Sequence, residues 1–127
     1  PVEAIGKSKE LIESCCKTIL ENRNVEVDKN WNISQLSKKT FEALQLMPKN
    51  IPNNIKCENT IKQILGNLSA ISNGISELRN DYGSGHGKSA SFKGLSSRHA
   101  NLAVGATTTL VHFLWNTYEE QTKRITQ

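Results

Sequence analysis

From residue 61 onward the apolar side chains Ile61, Ile64, Leu65, Leu68, Ile71, Ile75 and Leu78 return at the spacing of one helix face. The spacing predicts a single amphipathic helix from about Glu58 to Asn80, roughly 33 Å long by the helix rise. Its interior glycines, Gly66 and Gly74, each weaken it by about 1 kcal/mol relative to alanine and would admit a closely packed neighbour. The helix then runs into Arg79-Asn80-Asp81-Tyr82-Gly83-Ser84-Gly85-His86-Gly87-Lys88-Ser89, where glycine stands at alternate positions. Glycine takes left-handed and tightly folded conformations that a Cβ resists, so the helix stops there and the chain can fold back. Had it continued, Arg79 and His86 would stand about 10.5 Å apart along the axis. A turn removes that separation and lets both groups reach one phosphate.

The remaining stretches also read as helices. Leu11, Ile12, Cys15, Cys16, Ile19 and Leu20 recur at helical spacing from about Glu3 to Glu21, with Lys7, Lys9, Glu10, Glu13 and Lys17 between them. Asn22 to Asn30 is polar, and a strand through Val25 and Val27 would be short, so this is read as a loop. Asn32 or Ser34 can cap a second helix carrying Ile33, Leu36, Thr40, Leu44 and Met47, which is expected to stop before Pro48. Pro48 to Asn54 is a connector. After a glycine- and serine-rich loop, Ser96 or Ser97 can cap a last helix running to about Lys123. That helix has apolar residues on two sides, Leu102, Ala106, Leu110, Phe113 and Leu114 on one and Ala100, Val104, Val111, Trp115 and Tyr118 on the other. Burial on both sides is expected, either inside the bundle or against a second subunit, and Ala100, Ala103, Gly105 and Ala106 would let a helix approach closely. The expected fold is all-α, a bundle of about four main helices with the Gly/Ser-rich loop before the last.

A chain of 127 residues is most simply one domain, 1–127, able to close a core without disulfides or metals. Its first residue, Pro1, fits a trimmed terminus or a domain excised from a longer protein. No apolar run is long enough to span a bilayer and no signal pattern opens the sequence, so a cytoplasmic protein with no membrane partner is expected. Cys15 and Cys16 are neighbours and Cys57 stands apart, a spacing that suits reduced, buried thiols rather than a metal site. The net charge is +4, but its distribution says more. No acid lies between Asp81 and Glu119, whereas the interval holds His86, Lys88, Lys93, Arg98, His99 and His112, with Arg79 just before it. Such a run is often only a solvated face; beside glycines that bare the backbone N–H groups it also suits an anionic partner. Gly83-Ser84-Gly85-His86-Gly87-Lys88-Ser89 is not a nucleotide-binding P-loop, since one spacer residue is missing and a helix, not a strand, precedes it.

The chain resembles the abortive-infection C-terminal domain of the HEPN superfamily over nearly its whole length. Two stretches carry the resemblance: the opening helix Ser8-Lys9-Glu10-Leu11-Ile12-Glu13-Ser14-Cys15-Cys16-Lys17-Thr18-Ile19-Leu20, and the turn Glu77-Leu78-Arg79-Asn80-Asp81-Tyr82-Gly83-Ser84-Gly85-His86-Gly87. The superfamily motif is an arginine, a polar residue and, after a short spacer, a histidine. Arg79, Asn80 and His86 match it, with six residues between arginine and histidine, the upper end of the family's range.

The resemblance implies a metal-independent endoribonuclease without cofactors, a homodimer, and a toxic effector in phage defence. Its chemistry suits the residues. Histidine titrates near neutrality and can move the proton of a 2′-hydroxyl or of the leaving oxygen. Arginine's fixed charge and planar donors match the phosphoryl oxygens, and Asn80 can orient either group. One histidine does not readily make both transfers, and a two-fold dimer supplies a second. Lys88, Lys93, Arg98 and His99 are the candidate RNA contacts; few acids nearby argue against a metal site. Blander roles exist for each group. A cation in a helix's last turn is favourable against the dipole, which alone would account for Arg79. His86 in a loop can be merely exposed, His99 can cap the last helix, and His112 reads as a packing or interface residue. Tyr82 and Trp115 can stack on bases, though packing is the ordinary use of such rings. The alternative function is a non-catalytic dimerisation or RNA-binding module that regulates another domain of a longer defence protein; an inhibitor is a further possible partner.

Overall fold

The computed structural model describes residues 2–50, 58–60, 62–64, 66, 67, 70, 71, 74, 77 and 97–126. Its elements are α1 (Val2–Asn22), α2 (Ile33–Ala43), a short 3-10 turn (Pro48–Asn50), helical residues between 58 and 77, and a last helix, Ser97–Thr126. This is the expected all-α bundle, and among the described residues there is no strand. Val25 and Val27 lie in the loop after α1, half-buried against the core.

The heptad-like spacing of α1 gives it a broad buried arc of Ile12, Cys15, Cys16, Ile19 and Leu20, and this arc packs against both α2 and the last helix. Residues such as Ile12, Ile19 and Leu20 are fully buried, and each contributes about 1.5–3 kcal/mol. The opposite face carries charge: Lys9 pairs with Glu13 at 2.8 Å and Lys17 approaches it at 4.0 Å. Such exposed i,i+4 pairs support the helix by only a few tenths of a kcal/mol. Both helix-borne thiols are free and buried, as their spacing suggested; Cys57 lies outside the described residues.

Asn32, not Ser34, caps α2. Its Oδ1 accepts from the Gln35 N–H at 2.9 Å, and Gln35 Oε1 accepts from the Asn32 N–H at 2.9 Å, a reciprocal capping box. The far end departs from expectation. The helix stops at Ala43, so Met47 is not helical and Pro48 is not what ends it. Gln45 turns into the left-handed region at φ 57, its N–H donating to the Glu42 carbonyl at 3.1 Å and the Leu46 N–H to the Phe41 carbonyl at 2.8 Å. That hydrogen-bond pair is the Schellman closure. Met47 then packs half-buried against the core and leads into the 3-10 turn.

The last helix buries one line rather than two sides. Ala100, Ala103, Thr107, Leu110 and Leu114 follow i+3/i+4 steps across both expected stripes, while Leu102 is 72% exposed and Val104 38%. Val111, Phe113, Trp115 and Tyr118 flank the line half-buried, packed on the core. The expected close approach is made by Ala100 and Ala103, which meet Ala4 of α1. Among the described residues it is not made by Gly105, Gly66 or Gly74, where an added Cβ would meet nothing within 4 Å.

Contacts at the two ends fix the direction of this pairing. Ala4 lies against Ala100 and Ala103, and nineteen residues later the Arg23 guanidinium stands 5.1 Å over the Tyr118 ring and donates to the Tyr118 carbonyl at 3.5 Å. α1 and the last helix therefore run parallel. The carbonyl of Leu44, at the end of α2, accepts from Gln121 Nε2 at 2.8 Å. The chain thus leaves α2 at one end of the bundle and starts its last helix at the other, with the helical residues between 58 and 77 on the path between; Ile71 among them packs on the core.

Candidate functional site

Of the residues the sequence singles out, Arg98 and His99 are placed by the structure. Arg79, Asn80, His86, Lys88 and Lys93 lie outside the described residues, as do Tyr82 and the glycines around it. The last helix begins at Ser97, so Arg98 and His99 stand in its first turn. Arg98 is exposed; His99 is half-buried, one step from the buried Ala100. No acid stands in that first turn, and none follows along the helix until Glu119. The free N–H groups of a helix start carry a partial positive charge, so Arg98 adds to a field already favourable to anions.

The parallel pairing brings a further cation to this end of the bundle. Ala4 marks the first turns of α1 as neighbours of Ala100 and Ala103, and Lys7 lines a cavity with Val104, Thr107 and Thr108. Lys7 was not a candidate from sequence, because nothing local to it signals that residues about a hundred positions away lie alongside.

Elsewhere the structure revises expected roles. His112 is exposed rather than packed within the chain. Trp115 is engaged within the chain: its ring lies 5.0 Å from that of Tyr118, which is itself covered by Arg23. Among the described residues no group of three or more His, Cys, Asp or Glu side chains is placed to hold a metal ion, and no helix is long and apolar enough to cross a membrane.

Compared with protein families, residues 1–118 match the model of a HEPN-like domain, Abi_C. No match was found among curated proteins or among solved structures.

Proposed function

Since the chain belongs to the Abi_C family of HEPN-like domains, and so to an abortive-infection-related group, we propose that it is a metal-independent endoribonuclease acting in the cytoplasm as a toxic effector of phage defence. The observation that carries this reading is the Arg79-Asn80 pair followed by His86 in a glycine-rich turn, within a sequence that matches the family over residues 1–118. In the proposed reaction the 2′-hydroxyl of the RNA attacks the adjacent phosphorus. His86 moves a proton, from the attacking hydroxyl or to the leaving oxygen, and its copy in a homodimer makes the other transfer. Arg79 neutralises the charge that builds on the phosphoryl oxygens, and Asn80 orients the reacting groups. Lys88, Lys93, Arg98 and His99 hold the RNA backbone.

The test is cleavage of several RNAs by the purified protein in excess chelator. The products should end in a cyclic phosphate or a 3′-phosphate. His86→Ala should slow cleavage by about 10²–10⁴-fold with RNA affinity nearly kept, the range of a lost general acid or base. Arg79→Ala should also slow it, and Arg79→Lys should rescue only in part, because lysine restores the charge without the planar pair of donors. Unimpaired cleavage by His86→Ala, or a strict need for a divalent ion, would overturn the assignment. The chain would then act as a non-catalytic dimerisation or RNA-binding module.

A further inference from the structure

The outer face of the last helix carries no fixed charge for most of its length. Opposite the buried line through Ala103, Leu110 and Leu114, the residues Arg98, Gly105, His112, Asn116 and Glu119 follow steps of seven, four and three, the repeat of one helix face, and all five are exposed. Between Arg98 and Glu119 the helix has no lysine, arginine, aspartate or glutamate at any position. The exposed faces of the other helices differ: α1 shows Lys7, Glu10 and Lys17, and α2 shows Lys38, Lys39 and Glu42. Two features of the uncharged face are not explained by packing among the described residues. Leu102 is 72% exposed, and Gly105, which weakens a helix by about 1 kcal/mol relative to alanine, stands where an added Cβ would meet nothing within 4 Å.

Whatever covers such a face must be free of charge over the same length, because a charge brought onto it gives up water and finds no partner. A nucleic acid is a poor occupant, since between Arg98 and Glu119 no lysine or arginine meets a phosphate. The two ends of the stretch are charged, and with opposite sign. Among the described residues neither Arg98 nor Glu119 forms an ion pair, whereas the neighbouring Glu120 is held by Arg124, and Lys123 falls one turn beyond the stretch. A second copy of the same face, laid antiparallel, answers all of this. The two-fold axis then falls between Thr108 and Thr109, midway from residue 98 to residue 119. Uncharged residues lie on uncharged ones, Arg98 of each copy reaches the partner's Glu119, and His112 stands over the partner's Gly105, where the missing side chain leaves room. A parallel two-fold pair would instead set arginine on arginine and glutamate on glutamate, with the helix dipoles aligned.

We propose that this face is a self-association surface, joining two copies of the chain through antiparallel last helices. The contact is distinct from one that brings two copies of His86 into a shared cleft, because it holds the two Arg98 residues about 32 Å apart by the helix rise. A single helix face falls at or below the low end of stable interfaces, roughly 1,200 Å², so this is a weak contact that adds to the proposed dimer at higher concentration. In the associated form Arg98 serves the partner's Glu119 rather than an RNA phosphate.

Sedimentation equilibrium of the full chain from about 10 µM to about 1 mM tests it, with a self-association step expected in the high micromolar range. Arg98→Glu and Glu119→Arg each set like charges together at both ends of the pair and should weaken the step by about tenfold, while the double variant restores opposite charges and should return to within about threefold of the wild type. Thr109→Glu, which brings two acids together at the axis, should abolish it. All three positions are exposed, so the variants should keep the wild-type circular dichroism. No step up to about 1 mM, single reversals without effect, or a double variant no better than either single would each overturn the surface. A chain that is monomeric at low micromolar concentration and still shows the step, with its rescue, would support this surface and remove the shared-cleft dimer instead.

Discussion

Cys15 and Cys16 place two uncharged thiols in the core, and burial makes their ionised forms costly. For Cys15 the burial, with Cys16 beside it, pushes the thiol from 9.0 up to about 12; burial raises Cys16 as well. A raised folded-state value means the unfolded chain loses its protons first. The stabilisation is therefore fully present below about pH 9 and is lost as pH rises toward about 12. Urea midpoints of the wild type should fall more steeply between neutral and alkaline pH than those of Cys15→Ala, and a thiol reagent should react with both cysteines only as the protein unfolds. The burial of this pair was legible from helical spacing alone. Lys7 was not, because its neighbours Val104, Thr107 and Thr108 reach it only through the fold. A residue's chemistry can be read where its surroundings are periodic, but not where they come from a distant part of the chain.

The helices show the same contrast in how they end. α1 stops at Asn22 and is closed by Asn24, which takes φ 61, with the Val25 N–H donating to the Leu20 carbonyl at 2.9 Å. Asparagine tolerates that conformation, so the break could be read from the residue. α2 stops at Ala43 and is closed in the same way by Gln45, and glutamine gives no such signal; Pro48 was the visible stop, and it came too late. Replacing Gln45 by glycine removes the Cβ penalty of the left-handed region and should raise stability by about 1 kcal/mol, read from denaturant midpoints. At the other end of α2, Asn32→Ala breaks the capping box and should cost about 1 kcal/mol, while Asn32→Gly should cost only a few tenths. The last helix was found in place but its buried side was misjudged. Its apolar residues cover most of its girth, so periodicity alone could not choose the line through Ala100, Thr107 and Leu114.

At the scale of the whole molecule, the all-α bundle was legible because four stretches share one period, and the family match agrees with it. The candidate site was legible as the motif Arg79-Asn80 with His86, residues that lie outside the described ones; whether its groups come together is not something spacing determines. The proposed dimer should sediment as such at micromolar concentration. Val104, 38% exposed, is the best placed of the apolar residues expected at its interface, since Trp115 and Tyr118 are partly used within the chain. Neutralising Lys88, Lys93 and Arg98 together should weaken RNA binding and flatten its dependence on salt, because fewer counterions leave the complex; an unchanged slope would mean the RNA runs elsewhere. The parallel pairing of α1 with the last helix also sets an order in time. Ile12 and Ile19 share their core with Leu110 and Leu114, so α1, made well before Ser97–Thr126, waits for that helix before its apolar face is fully covered. Contacts so far apart in the chain are slow to form, and a nascent chain that shows such a face is a natural client for chaperones. Any activity that needs this core is thus withheld until the last helix has been made.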